Sequence, residues 1–214
     1  MSFQKILIAN RGEIAIRVMR AAADLGISTV AVYSEDDSAS LHATVADQAC
    51  LLQGRGVLAY LDIDGIINVA KHSSCDAIHP GYGFLAENSE FAKKCAENEI
   101  VFIGPDIDHL ALFGDKGRAR SAAVAAHVPV LRGLDRTVTL KEAQEFFESL
   151  QGGSGMMIKA VAGGGGRGSR AITDSTQIEN SYKRCKSEAT NAFGNGDLYV
   201  EEFIENARHI EVQI

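Results

Sequence analysis

The stretch Lys159-Ala160-Val161-Ala162-Gly163-Gly164-Gly165-Gly166-Arg167-Gly168 puts a lysine at the end of an apolar run, then five glycines in six residues. Met156-Met157-Ile158-Lys159 reads as a strand entering it, and Ser169-Arg170-Ala171-Ile172-Thr173 as a strand leaving it. Glycine loses the most backbone entropy on folding, so consecutive glycines are a poor choice for stability. A loop that carries this cost usually lets backbone N–H groups approach a ligand closely, and polyphosphate is the commonest such ligand. No Gly-Lys-Ser/Thr follows, and the flanks are strand and strand, so this is not a Walker A loop. The stretch predicts a hairpin flap whose amides cover phosphates, with Lys159 aimed at them. A surface loop without chemical meaning is the alternative.

Outward from the flap, Leu140 to Leu150 reads as an amphipathic helix and Gly152 to Gly155 as a turn. Ser175 to Ala189 is a further helix, Leu198 to Phe203 a strand, and His209 to Ile214 a last strand. Together they predict a small α+β unit. The final strand stops at Ile214 without cap, turn or tail, which suggests an incomplete protein. Upstream the register changes. Lys5 to Ala9, Ile27 to Tyr33, Ala49 to Leu52, Cys75 to Ile78 and Ile100 to Ile103 are apolar strand runs. Helical spacing recurs between them, over Ile14 to Leu25, Asp64 to Lys71 and from Asn88 onward, and Asp115 to Ala126 follows as an alanine-rich helix. Such alternation predicts a parallel sheet with helices on both faces. Ligands then sit at the carboxyl ends of the strands, here Asn10-Arg11-Gly12-Glu13, His79-Pro80-Gly81-Tyr82-Gly83 and Gly104-Pro105.

Composition narrows the class. The 214 residues are 46% hydrophobic and 23% charged, within the globular range. A formal charge of −7 argues against a general nucleic-acid binder. The cysteines Cys50, Cys75, Cys95 and Cys185 are far apart with no Cys-x-x-Cys, which suggests neither a zinc site nor a disulfide framework. No stretch approaches the ~20 apolar residues of a membrane span, and no signal peptide is visible. Cytoplasm is the default expectation.

Six motifs occur in order: Ile8-Ala9-Asn10-Arg11-Gly12-Glu13-Ile14-Ala15, the segment His79 to Asn88, Phe102-Ile103-Gly104-Pro105, Gly114-Asp115-Lys116, the flap, and Arg208-His209-Ile210-Glu211-Val212-Gln213. Together they closely resemble the biotin carboxylase component of biotin-dependent carboxylases, an ATP-grasp enzyme, over the whole chain. The resemblance covers only the first half of that component. It implies a parallel-sheet pre-ATP-grasp domain over 1–114, a connecting helix and linker over 115–134, a small α+β ATP-grasp lid over 135–203, and the start of a C-terminal ATP-grasp domain over 204–214. The implied chemistry is ATP- and bicarbonate-dependent carboxylation of biotin through carboxyphosphate, with Mg2+ or Mn2+. The implied partners are a biotin carboxyl carrier domain, a carboxyltransferase and a second copy of the enzyme. Arg17 and Arg20 match helix positions at the dimer interface of bacterial members.

By the same resemblance, Lys116 and Lys159 are the phosphate lysines, and the amides of Gly164, Gly165 and Gly166 cover the phosphates. Glu201, Glu202, Phe203 and Ile204 form the segment that holds adenine, and His209 lies at the nucleotide. Glu202 stands where a lysine is common, Ser169 where a methionine is usual, and Ala207 where a proline is usual. Tyr82 and Gly83 border the biotin end. Acidic metal ligands, the biotin base and a catalytic arginine are implied after Ile214, so this chain alone is expected not to carboxylate biotin. Other ATP-grasp ligases would share the flap and both lysines but lack the His79 loop and the Arg208 strand. A dinucleotide-binding oxidoreductase lacks support, since no Gly-x-Gly-x-x-Gly follows the first strand. A non-catalytic nucleotide-binding or dimerisation module remains a further alternative.

Overall fold

The computed structural model describes residues 3–134, 136–150, 154–162, 168–205, 207, 208 and 210. Two compact units divide the chain, Met1–Gly114 and Asp115–Ile214.

The first unit runs β1 (Lys5–Ile8), α1 (Gly12–Asp24), β2 (Ser28–Tyr33), α2 (Leu41–Val45), β3 (Gln48–Leu51) and α3 (Gly56–Ala59). It continues with α4 (Ile63–His72), β4 (Ala77–His79), α5 (Ser89–Glu97), β5 (Val101–Phe102) and α6 (Ile107–Phe113). All strand pairs are parallel, in the order β3-β2-β1-β4-β5. Consecutive β1 residues show why the apolar runs are continuous. Leu7 joins a core with Val30, Val32, Ile78, Ile66 and Phe91 on one face. Ile6 and Ile8 join Ala31, Ala77 and the Ala15, Val18, Met19 and Ala22 stripe of α1 on the other. Each fully buried aliphatic contributes roughly 1.5–3 kcal/mol relative to exposure, so both faces hold the sheet.

Caps set several helix starts. The side chain of Asp62 accepts from Gly65 N at 3.0 Å to open α4, and that of Asn88 accepts from Phe91 N at 2.9 Å to open α5. The short helices α2, α3 and α6 have no counterpart among the sequence-based expectations. At 5, 4 and 7 residues they are too short to show a helical period.

The second unit runs α7 (Lys116–Ala125), β6 (Gly133–Leu134), α8 (Leu140–Ser149), β7 (Gly155–Ala160), β8 (Ser169–Ile172), α9 (Ile178–Phe193) and β9 (Leu198–Phe203). Its antiparallel sheet has the order β6-β9-β7-β8. Met156, Ile158 and Ala160 of β7, Ile172 of β8, and Leu198 and Val200 of β9 face one core with Ala143 and Phe146 of α8 and Ile178, Cys185 and Ala189 of α9. A capping box starts α8, with Thr139 Oγ1 accepting from Glu142 N at 3.3 Å and Glu142 Oε2 accepting from Thr139 N at 2.7 Å. The helix expected from Ser175 to Ala189 begins instead as a 3-10 turn over Ser175–Gln177, capped by Asp174, and runs on to Phe193. Gly194 then stops it with φ 71°. The two-residue strand β6, inside the expected linker, has no readable alternation. Of the strand expected over His209 to Ile214 only Ile210 is described, and it is not in a strand; of the turn expected over Gly152 to Gly155 only Ser154 and Gly155 are described, and Gly155 opens β7 instead.

Candidate functional site

Two places gather the singled-out residues. The first is at the carboxyl ends of β1 and β4, adjacent strands on either side of the point where the strand order reverses. Open α/β sheets bind ligands in that crevice. Here Asn10 bridges it, its Nδ2 donating to Pro80 O at 2.7 Å and Tyr82 O at 2.8 Å. The exposed ring of Tyr82 carries a hydroxyl that donates to Glu13 Oε1. This bond holds the Glu13 carboxyl below its usual range and raises the Tyr82 phenol. His79, at the end of β4, accepts from Gly81 N through Nδ1 at 3.0 Å, and burial lowers its pKa.

Beside this loop lies a charged cluster that sequence patterns did not reveal. Arg11 donates to Asp37 through Nε and Nη2, and Tyr60 Oη donates to Asp37 Oδ2 at 2.8 Å. The Arg11 hydrogen bonds hold the Asp37 carboxyl well below the usual carboxylate range, against burial. Burial, with the bond to Asp37, pushes the Tyr60 phenol up to about 12. Asp37 is 36 positions from the chain start and 26 from Arg11, so only the fold reveals their pairing.

The second place is a cleft of about 200 Å³ in the second unit, lined by Asp115, Gly117 and Arg120 around α7, by Gly133, Leu134, Arg136 and Thr137, by Val161 beyond β7, and by Tyr199, Val200 and Glu201 of β9. Alternation along β9 puts Leu198 and Val200 in the core and turns Tyr199 and Glu201 to the opposite face. Lys159 pairs in register with Tyr199, and its ammonium forms an ion pair with Glu201. Burial pushes the Tyr199 phenol up to about 12, reinforced by the Glu201 charge.

Of the expected site residues, Lys159 and Glu201 are thus brought together, while only Glu201 of the four-residue adenine segment lines the cleft. Glu202 donates its N–H to Arg132 O at 2.7 Å, Phe203 packs by Gly155, and Ile204 is exposed. Lys116 is the first residue of α7, capped by Asp115, whose side chain accepts from Arg118 N at 3.0 Å. The Lys116 side chain, Gly164, Gly165, Gly166 and His209 lie outside the described residues. Gly83, at φ 67°, follows Tyr82 in the loop after β4. Arg17 and Arg20 are exposed on α1. Arg120, Arg136 and Tyr199 were missed as cleft residues. Two had a signal: Arg120 is one helical turn beyond Lys116, and Tyr199 is one β repeat before Glu201.

A parallel α/β unit followed by an antiparallel sheet, with a glycine-rich hairpin and a cleft on its polar face, is the arrangement of an ATP-grasp chain. Residues 2–110 match the biotin carboxylase N-terminal domain, and residues 115–214 match the ATP-binding domain of the carbamoyl-phosphate synthase L chain. The pyruvate carboxylase of Bacillus subtilis is 53% identical over all of this chain, which spans 19% of that protein's length. Among solved structures, the biotin carboxylase domain dimer of Hydrogenobacter thermophilus 2-oxoglutarate carboxylase, in complex with MgADP, ADP and bicarbonate, superposes with a TM-score of 0.89 and 42% identity. Campylobacter jejuni biotin carboxylase in its β,γ-ATP complex gives a TM-score of 0.89 and 39% identity. Each match covers 96% of this chain, and 45% and 46% of those chains respectively. The chain belongs to the biotin carboxylase family.

Proposed function

We propose that this chain is the nucleotide-binding part of a biotin carboxylase, an ATP-dependent ligase that uses bicarbonate to carboxylate biotin on a carrier domain. The cleft on the polar face of β7 and β9, with the Lys159–Glu201 pair where the glycine hairpin leaves the sheet, carries this assignment. Its donor set suits a nucleotide. Leu134, Val161 and the Tyr199 ring offer apolar surface, Arg120 and Arg136 bring cationic charge, and Lys159 stands next to the cleft through its ion pair with the lining Glu201. Lys116 and Lys159 would meet the phosphates as compact charges with three donors each, and the amides of Gly164, Gly165 and Gly166 would cover them. Glu201, Glu202, Phe203 and Ile204 would meet adenine through their backbone, with His209 nearby. Bicarbonate attack on the γ-phosphoryl group would release ADP and leave carboxyphosphate, which would break down to inorganic phosphate and CO2, and the CO2 would bond to a ureido nitrogen as that nitrogen gives up its proton. Tyr82 and Gly83 would border that ring.

Mg2+ or Mn2+ would enter with the nucleotide and neutralise phosphate charge. Among the described residues no group of three His, Cys, Asp or Glu side chains is placed to hold such an ion. In the parent protein, residues 115–134 would connect the pre-ATP-grasp domain, 1–114, to a lid over 135–203, with 204–214 beginning a C-terminal domain. The complete enzyme would work as a homodimer in the cytoplasm, with a carboxyl carrier and a carboxyltransferase. Among the described residues no helix is long and apolar enough to cross a membrane. ADP release by the full-length protein, measured with and without bicarbonate and free biotin, tests the assignment. Dependence on bicarbonate and stimulation by biotin are expected; turnover indifferent to both would contradict it.

A further inference from the structure

The loop after β4 is fastened on two sides while its one large aromatic ring is left outside. Asn10 straddles Gly81, since its Nδ2 donates to the carbonyls of both neighbouring residues, Pro80 at 2.7 Å and Tyr82 at 2.8 Å. Its Oδ1 accepts from Arg11 N at 2.9 Å, so both ends of the amide are committed. Gly81 has φ 65°, and a Cβ there would lie 2.7 Å from Asn10 Nδ2, so glycine is what lets the amide approach. Glu13, in the first turn of α1, accepts from the Tyr82 hydroxyl. On the far side Phe84, held at φ 36°, stacks on Tyr60 with ring centroids 5.1 Å apart. Tyr60 is itself anchored to Asp37 at 2.8 Å.

Tyr82 is nonetheless 61% exposed. A surface tyrosine that served only solubility would need neither its carbonyl nor its hydroxyl tied. Fixing both gives up rotamer entropy before any ligand arrives, which lowers the cost of ordering the ring on binding. The ring also stands at the reversal of strand order, where sheets of this type take ligands. We infer that Asn10 and Glu13 are positioning residues that hold Tyr82 as a fixed, outward platform for the flat ureido ring of biotin. The identity of that ring rests on the placement of Tyr82 proposed above.

The test uses the full-length protein that carries this chain. Asn10→Asp keeps the side chain's size but turns a donor toward two carbonyl oxygens into an acceptor. Hydrogen exchange at the Gly81 amide, bonded to His79 Nδ1, should quicken by about tenfold, because the local opening that frees it becomes easier. The KM for free biotin should rise about tenfold, with the KM for ATP changed less than about twofold, the pattern of a loss confined to one substrate. Glu13→Ala removes an exposed side chain that supports no core, and should raise the biotin KM by about threefold. Glu13→Gln keeps an acceptor for the hydroxyl and should restore it. Unchanged exchange in both Asn10→Asp and Glu13→Ala overturns the clamp. If Tyr82→Ala raises the biotin KM and neither clamp variant does, the positioning role is overturned while Tyr82 keeps its place. If Tyr82→Ala leaves the biotin KM unmoved, the placement of Tyr82 fails and the positioning role falls with it.

Discussion

The two sheets put their chemistry in different places because they are buried differently. In β1 the side chains of Ile6, Leu7 and Ile8 are all buried, odd and even positions feeding opposite cores. A sheet covered on both faces has no free face, so its singled-out residues stand beyond strand ends, Asn10 and Tyr82 on loops and Glu13 in the first turn of α1. In β7 and β9 burial alternates. Ile158 and Val200 are inside, whereas Lys159, Tyr199 and Glu201 lie half-buried on the opposite face, which carries the cleft. The antiparallel sheet therefore carries its cleft on the strands themselves, with spacing set by register.

Core truncation should separate the sheets most strongly. Leu7→Ala and Ile8→Ala, on opposite faces of β1, should each destabilise by about 2–5 kcal/mol in denaturant unfolding. Ile158→Ala should cost a similar amount, but Met157→Ala, on the outer face of β7, no more than about 1 kcal/mol. Equal losses at Met157 and Ile158 would break the comparison. Next in size, Lys159→Ala removes a charged hydrogen-bond donor, a change worth about 1.5–3 kcal/mol, and should weaken calorimetric ADP affinity about tenfold or more. Glu201→Gln, which removes only the partner of a partly exposed ion pair, should shift that affinity by less than about fivefold.

Smaller effects concern how each unit meets acid. Thr139→Ala should cost about 1 kcal/mol by opening the α8 cap. The backbone and side-chain bonds from Thr139, then Arg136, hold the Glu142 carboxyl at about 2, below its ordinary value of 4.5. A depressed folded pKa stabilises above the unfolded pKa and is lost as pH falls, so this contribution should fade from about pH 4.5 to about 2. Asp37, depressed by Arg11, gives the first unit the same sign, with loss beginning below about pH 4. In acid titrations followed by amide exchange, Thr139→Ala should flatten the profile of α8 and leave that of β1 unchanged.

The sequence made the sheets legible wherever a period was long enough to count. Strand β9 matches its expected bounds, Leu198–Phe203, because Gly194-Asn195-Gly196 marks the turn before it and its first four residues alternate, with Leu198 and Val200 buried. The four-residue helix α3 and the two-residue strand β6 show no such period and were invisible. Local chemistry also carried over: the helix expected from Asn88 onward starts there, with the Asn88 side chain accepting from Phe91 N. Contacts distant in sequence did not. The separations between Arg11 and Asp37, Asn10 and Pro80, and Lys159 and Glu201 are 26, 70 and 42 positions, and only folding brings each pair together.

On the proposed function, the polar face of the antiparallel sheet takes the nucleotide while the loop after β4 takes the acceptor ring. Steady-state kinetics on the full-length protein, with ATP and free biotin varied separately, addresses it most directly. Lys159→Ala should raise the KM for ATP about tenfold and leave that for biotin within about twofold, and Tyr82→Ala should do the reverse. A Lys159→Ala enzyme with normal ATP dependence, or a Tyr82→Ala enzyme impaired equally toward both substrates, would contradict it.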